Sequence, residues 1–138
     1  MSLKPFLLAT LAYVVVSFAL GFTWHMVFFR EAYANFAAYT REPPIIAFGF
    51  ASMVIQGGIL AMLFPRFLRT GTPFASALQF ALLTGLFLWS VAVLAFAAKS
   101  NVNDMGGFFL LSSLFHVVQF GLYGALLGLI HAKGAATR

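Results

Sequence analysis

The chain has 138 residues, 62% of them hydrophobic and only 8% charged, with a formal net charge of +5. A water-soluble domain is about 25% charged, so this composition excludes one and requires much of the surface to face lipid. With no cysteine, disulfides, thiolate nucleophiles, iron–sulfur clusters and cysteine-based zinc sites are excluded, and eight scattered Lys and Arg form no nucleic-acid-binding stripe.

The charges leave four uncharged runs, residues 5–29, 43–65, 70–98 and 105–132. A helix crosses ~30 Å of hydrocarbon with about 20 residues, so each run makes one crossing. Helices follow because a spanning segment must satisfy its own backbone hydrogen bonds. The expected fold is an all-α membrane protein: one membrane domain over residues 1–138, a four-transmembrane-helix up-and-down bundle with spans at about 6–29, 44–65, 73–98 and 105–131.

The first run follows Lys4 and precedes the small-residue site Ala32-Tyr33-Ala34, as a signal peptide would. It is longer than a ~7–15-residue signal core, and Arg30 and Glu31 separate it from that site, so it reads as a span. Tyr33, Phe36 and Ala37, at i, i+3 and i+4, predict an interfacial helix over about 31–40, with Tyr39 extending the aromatic belt. Pro43 and Pro44 fit the first turn of the second helix, and Gly57 with Gly58 marks a kink or close crossing within it. Thr72 and Pro73 fit the N-cap and first position of the third helix, and Asp104 the N-cap of the fourth. Short linkers make consecutive helices antiparallel neighbours.

Orientation follows from the same charges. The end holding both termini carries Lys4, Arg66, Arg69, Lys133 and Arg138; the other carries Arg30, Arg41 and Lys99 with Glu31, Glu42 and Asp104. Lys and Arg accumulate on the cytoplasmic side, so both termini are expected in the cytoplasm, with the protein in a bacterial cytoplasmic membrane. The basic end then attracts anionic lipid.

Each span has one polar or small-residue stripe. These are Thr10, Tyr13, Ser17, Gly21 and Trp24, with His25 adjacent; Gly49, Ser52 and Gln56; Ser76, Gln79 and Ser90; and Ser112, His116, Gln119 and Tyr123. Residues three or four apart share a helix side, which leaves two readings open. The stripes either hydrogen-bond across helices, at about 0.6 kcal/mol per contact, or line a cavity with Gln56, Ser112, His116, Gln119 and Tyr123, joined by Trp24, His25 and Tyr33 toward the outer side. No Lys, Arg, Asp or Glu lies deep in a span, unlike in ion-coupled transporters. His116 is the deep group able to change charge near neutral pH. Ser17 with Gly21, and Gly121, Gly124 and Gly128, allow close helix approach, within one chain or between copies.

Two histidines in a helical bundle raise the question of bis-His haem. His25 is four residues from the outer end of its run and His116 eleven, a depth difference of ~10 Å at ~1.5 Å per residue, so no cofactor is expected. A metal site from His25, Glu31 and Asp104 would have too few ligands. Nucleophile elbows, H-E-x-x-H, phosphate-cradling loops and paired carboxylates are absent from the sequence. Arg30–Glu31 and Arg41–Glu42 read as surface pairs, and His131 as an interfacial residue.

Gly21, Trp24, His25, Phe29 and Tyr33 form the pattern G-x-x-W-[HY]-x-x-x-F-x-x-x-[YW]. It resembles the motif of a family of small bacterial four-span integral membrane proteins of unknown function, in which Tyr commonly stands at the place of His25 and Trp at that of Tyr33. The resemblance spans residues 21–33 and implies a four-span fold and membrane location, with no catalytic residues. Physically, these aromatics anchor the interface or flank His25 in an outer pocket for a lipid or small amphiphile.

These features point to a non-enzymatic binding or accessory subunit in the lipid bilayer, self-associating as a homo-oligomer or docking on a larger membrane complex, without nucleic acid. Two alternatives are a carrier or channel for a neutral or lipophilic small molecule along His116, Gln119 and Tyr123, and a haem or quinone redox protein.

Overall fold

A computed structural model describes residues 2–39, 41, 43–68 and 72–135, with side chains as far as Ala132. Glu42, Arg69 and Arg138, and the Lys133 side chain, all counted above for charge, lie outside the described residues. The described residues form helices and no strand: α1 (Leu3–Phe22), α2 (Arg30–Phe36), α3 (Ile46–Phe67), α4 (Pro73–Trp89) and α5 (Met105–Ala135). Four stretches, Leu3–Phe28, Ile46–Phe67, Pro73–Ala95 and Met105–Ala132, are long and apolar enough to cross a membrane. The shortest has 22 residues, ~33 Å of helix against ~30 Å of hydrocarbon.

The expected caps of the third and fourth spans are present. Thr72 Oγ1 accepts from Ala75 N at 3.3 Å ahead of Pro73, and Asp104 Oδ1 accepts from Gly107 N at 2.9 Å. The second span starts later than the expected 44: Ile45 has φ −83° and ψ 88°, outside the helical region, and leaves Pro43 and Pro44 in the preceding turn. It also runs through Pro65 to Phe67 rather than ending at 65. Near its end the Arg66 guanidinium donates to the Met62 carbonyl at 2.7 Å, a basic side chain covering a carbonyl in the last turn of the helix.

Two π-helical segments extend α1 and α4 toward the same end of the bundle, Thr23–Phe28 and Ser90–Ala95. Each opens on a hydroxyl residue that donates back to the preceding turn. Thr23 Oγ1 lies 2.8 Å from Ala19 O, and Ser90 Oγ lies 2.7 Å from Phe87 O. Such back-bonding competes with the regular ladder, and π segments mark places where a helix is re-aimed to suit its neighbours.

The interfacial helix predicted over 31–40 is shorter and more buried. α2 stops at Phe36, because Ala37 takes the left-handed region (φ 53°), at a cost of about 1 kcal/mol for a residue with a Cβ. Asn103, in the α4–α5 loop, offsets that cost: its N–H donates to Phe36 O and its side chain to Asn35 O, both at 3.1 Å. Tyr33 and Phe36 are buried, so this helix docks on the bundle end through its aromatic face.

α1 packs against α3 and α5, and α5 against α4, so the helices run α3, α1, α5, α4. The second and third spans are the exception to the expected contact between consecutive helices. They touch little, and Phe80 meets Phe64 and Phe67 there, each with centroids 5.4 Å apart. One core cluster, toward the termini, centres on Tyr13, Phe64, Phe120 and Leu127; the other, at the α2 end, holds Tyr33, Phe36, Val93 and Phe108. Gly57 marks the close crossing anticipated in the second span: a Cβ there would lie 3.1 Å from Thr10 O on α1. Gly58 has nothing within 4 Å.

Candidate functional site

The polar stripes converge in two separate groups. In mid-bundle the Tyr13 hydroxyl donates to Gln56 Oε1 and Gln119 Nε2 donates to the Ser17 hydroxyl, both at 2.7 Å. Tyr123 meets Tyr13 edge-on with centroids 5.0 Å apart, and its buried hydroxyl has no hydrogen-bond partner among the described residues. α1 therefore pairs with α3 through Gln56 and with α5 through Gln119, the use expected of polar side chains between membrane helices.

The second group lies at the α2 end. The Tyr33 hydroxyl is 3.3 Å from Ser112 Oγ, and its ring packs on His25 with centroids 4.4 Å apart. Burial pushes the Tyr33 hydroxyl above the usual phenol range, and its hydrogen bond to Ser112 draws it partly back. Trp24 packs on Phe29 (4.7 Å), and its Nε1 is buried with no partner among the described residues. Both imidazoles touch the Phe115 ring, His25 at 4.8 Å and His116 at 5.4 Å. Nδ1 of each lies close to a carbonyl of its own helix, Gly21 O at 2.9 Å and Ser112 O at 2.8 Å. No group of three His, Cys, Asp or Glu able to hold a metal ion occurs among the described residues.

Four of the five small residues, Ser17, Gly21, Gly124 and Gly128, serve contacts within the chain. Ser17 bonds Gln119, and a Cβ on Gly21 would stand 4.0 Å from Phe115. On Gly124 a Cβ would come within 2.8 Å of Ala81 Cβ, and on Gly128 within 2.9 Å of Phe74 Cα, so both glycines are spent on packing α5 against α4. Gly121 has nothing within 4 Å.

A groove of about 310 Å³ runs between α4 and α5. Both Gly85 and Phe120 line it, the Phe120 ring packing directly on the bare Gly85 backbone, where a Cβ would come within 2.6 Å of Phe120 Cγ, with Trp89, Ser113 and His116 toward one end. Leu82, Leu86 and Val117 also line it and are exposed, at 53%, 61% and 62%, so it opens on the protein surface. Trp89 Nε1 donates to Ser113 Oγ at 2.9 Å, and the His116 ring stacks parallel to Phe120 (6.4 Å, 10°). Gly85 and His116 each fall near the middle of the apolar stretches Pro73–Ala95 and Met105–Ala132, so the groove lies midway along both.

Of the sequence candidates only His116 lines this groove. Gln56, Gln119 and Tyr123 belong to the mid-bundle group, and Trp24, His25, Tyr33 and Ser112 to the α2 end. Gly85, Trp89 and Ser113 escaped the sequence reading because none belongs to a stripe. Their only sequence signal is an indole and a hydroxyl standing alone on apolar faces. Comparison with known proteins assigns no family, since no family model, curated protein or solved structure matches the chain.

Proposed function

We propose that the protein is a non-enzymatic binding or accessory subunit of a bacterial cytoplasmic membrane, holding a neutral lipophilic small molecule in the α4–α5 groove. The observation that carries this reading is the groove itself: about 310 Å³, open along Leu82, Leu86 and Val117, with His116 midway along its apolar stretch. An apolar cleft with a few fixed polar groups is the usual build of a small-molecule site. A ligand would enter sideways from the hydrocarbon. Lys4 and Arg66 beside the termini support a cytoplasmic placement of both chain ends. The mid-bundle polar groups are engaged with one another at 2.7 Å, which favours binding over a conduit through the interior.

Native mass spectrometry after gentle release from detergent tests the reading. Wild-type protein is expected to keep one apolar adduct per chain. Val117→Trp, at an exposed edge where the indole covers the groove without disturbing the core, is expected to lose it. A bare chain in both proteins, or an adduct that survives Val117→Trp, overturns the assignment.

A further inference from the structure

Resting on that binding reading, we infer that the ligand carries a hydroxyl group, so that the groove takes a lipophilic phenol or alcohol rather than a ketone, ester or ether. The juxtaposition of His116 and Ser113 in one groove carries the inference. His116 Nδ1 lies 2.8 Å from Ser112 O, and a carbonyl oxygen only accepts. The partner thus assigns the ring proton to Nδ1, and in the neutral imidazole Nε2 is left as a bare acceptor. No hydrogen bond reaches that nitrogen among the described residues. Asp and Glu are absent from the four spans, and a lone charge at mid-membrane is costly, so the neutral ring is the binding form.

Ser113 has the opposite need. Its oxygen accepts the Trp89 N–H at 2.9 Å, which leaves its own hydrogen free to donate. One hydroxyl satisfies both groups, donating to His116 Nε2 and accepting from Ser113. A carbonyl or ether serves Ser113 but sets a lone pair against the lone pair of Nε2. Leaving one polar group unmatched in an apolar site weakens binding about tenfold or more.

Three probes of matched shape decide the matter: 4-octylphenol, its methyl ether 4-octylanisole, and octylbenzene. The readout is the fluorescence of Trp89, which lines the groove, in a Trp24→Phe protein that retains it as the sole tryptophan of the original two. The phenol is expected to bind about tenfold or more tighter than the ether, and the ether no more than slightly better than the hydrocarbon. In His116→Leu the preference for the phenol is expected to vanish while octylbenzene still binds. Equal affinity for all three probes, or an ether that binds tighter than the phenol, overturns the hydroxyl assignment and leaves the groove as a binding site. Binding of none overturns both readings. The probe series on protein with His116 in place decides even if His116→Leu fails to fold.

Discussion

Gly124→Leu is expected to cost the bundle about 3 kcal/mol of stability, whereas Gly121→Leu, about one turn away on the same helix, costs nothing. At 124 the first added carbon would sit 2.8 Å from Ala81 Cβ and 3.2 Å from Leu78 Cα. A methyl fixed to the backbone cannot rotate away and a backbone carbon cannot yield, so α4 and α5 must separate. At 121 nothing lies within 4 Å, and replacing glycine inside a helix gains up to about 1 kcal/mol in helix propensity. The opposite signs are the test. Equilibrium unfolding in mixed micelles reads both, and equal effects at the two positions would contradict the α4–α5 packing. Without this packing there is no groove, because Gly85 and Phe120 face each other across the same seam.

Phe108→Ala is expected to cost about 2–3 kcal/mol, below the ~3–5 typical of a buried phenylalanine in water. The discount arises because the unfolded chain stays in lipid, where apolar surface gains little from burial, so lost packing rather than transfer from water dominates. Phe108 is fully buried, its ring 6.1 Å from Phe36 of α2 and 5.8 Å from Phe96 beyond the second π segment. Its removal should therefore loosen the α2 end first. The check is amide hydrogen exchange: residues 30–36 should lose protection while the backbone amides around Tyr13, Ser17, Gln56 and Gln119 keep theirs. Uniform loss across the molecule would contradict a separate cluster at that end.

The broad fold was legible because lipid imposes a severe rule. With so few charges their positions mark the ends of spans, and Thr72 and Asp104 stand where caps are needed. Element ends were less legible. The predicted helix over 31–40 stops at Phe36, since Asn103, distant in sequence, seals its last carbonyls. The π segments carry no Gly or Pro signal; Thr23 and Ser90, each bonding back into its own helix, are the trace they leave. The stripes located Gln56, Gln119, His116 and Ser112 on shared helix faces, but a stripe does not reveal which helix it meets. The groove was hidden because it depends on a missing side chain, Gly85, opposite Phe120, and on Trp89 meeting Ser113 across two helices. Likewise the spacing of Gly124 and Gly128 fits contacts within or between chains, and only the positions of Ala81 and Phe74 decide that they act within one.

On the proposed reading the α4–α5 groove opens into the hydrocarbon of a membrane. The most direct test is the fluorescence of Trp89 in Trp24→Phe protein reconstituted into bilayers whose phospholipid acyl chains carry bromine at graded depths. Strong quenching by bromine within the hydrocarbon is expected, relieved when 4-octylphenol displaces the brominated chains from the groove. Emission at the red wavelengths of water-exposed indole, indifferent to bromine at every depth, would contradict it.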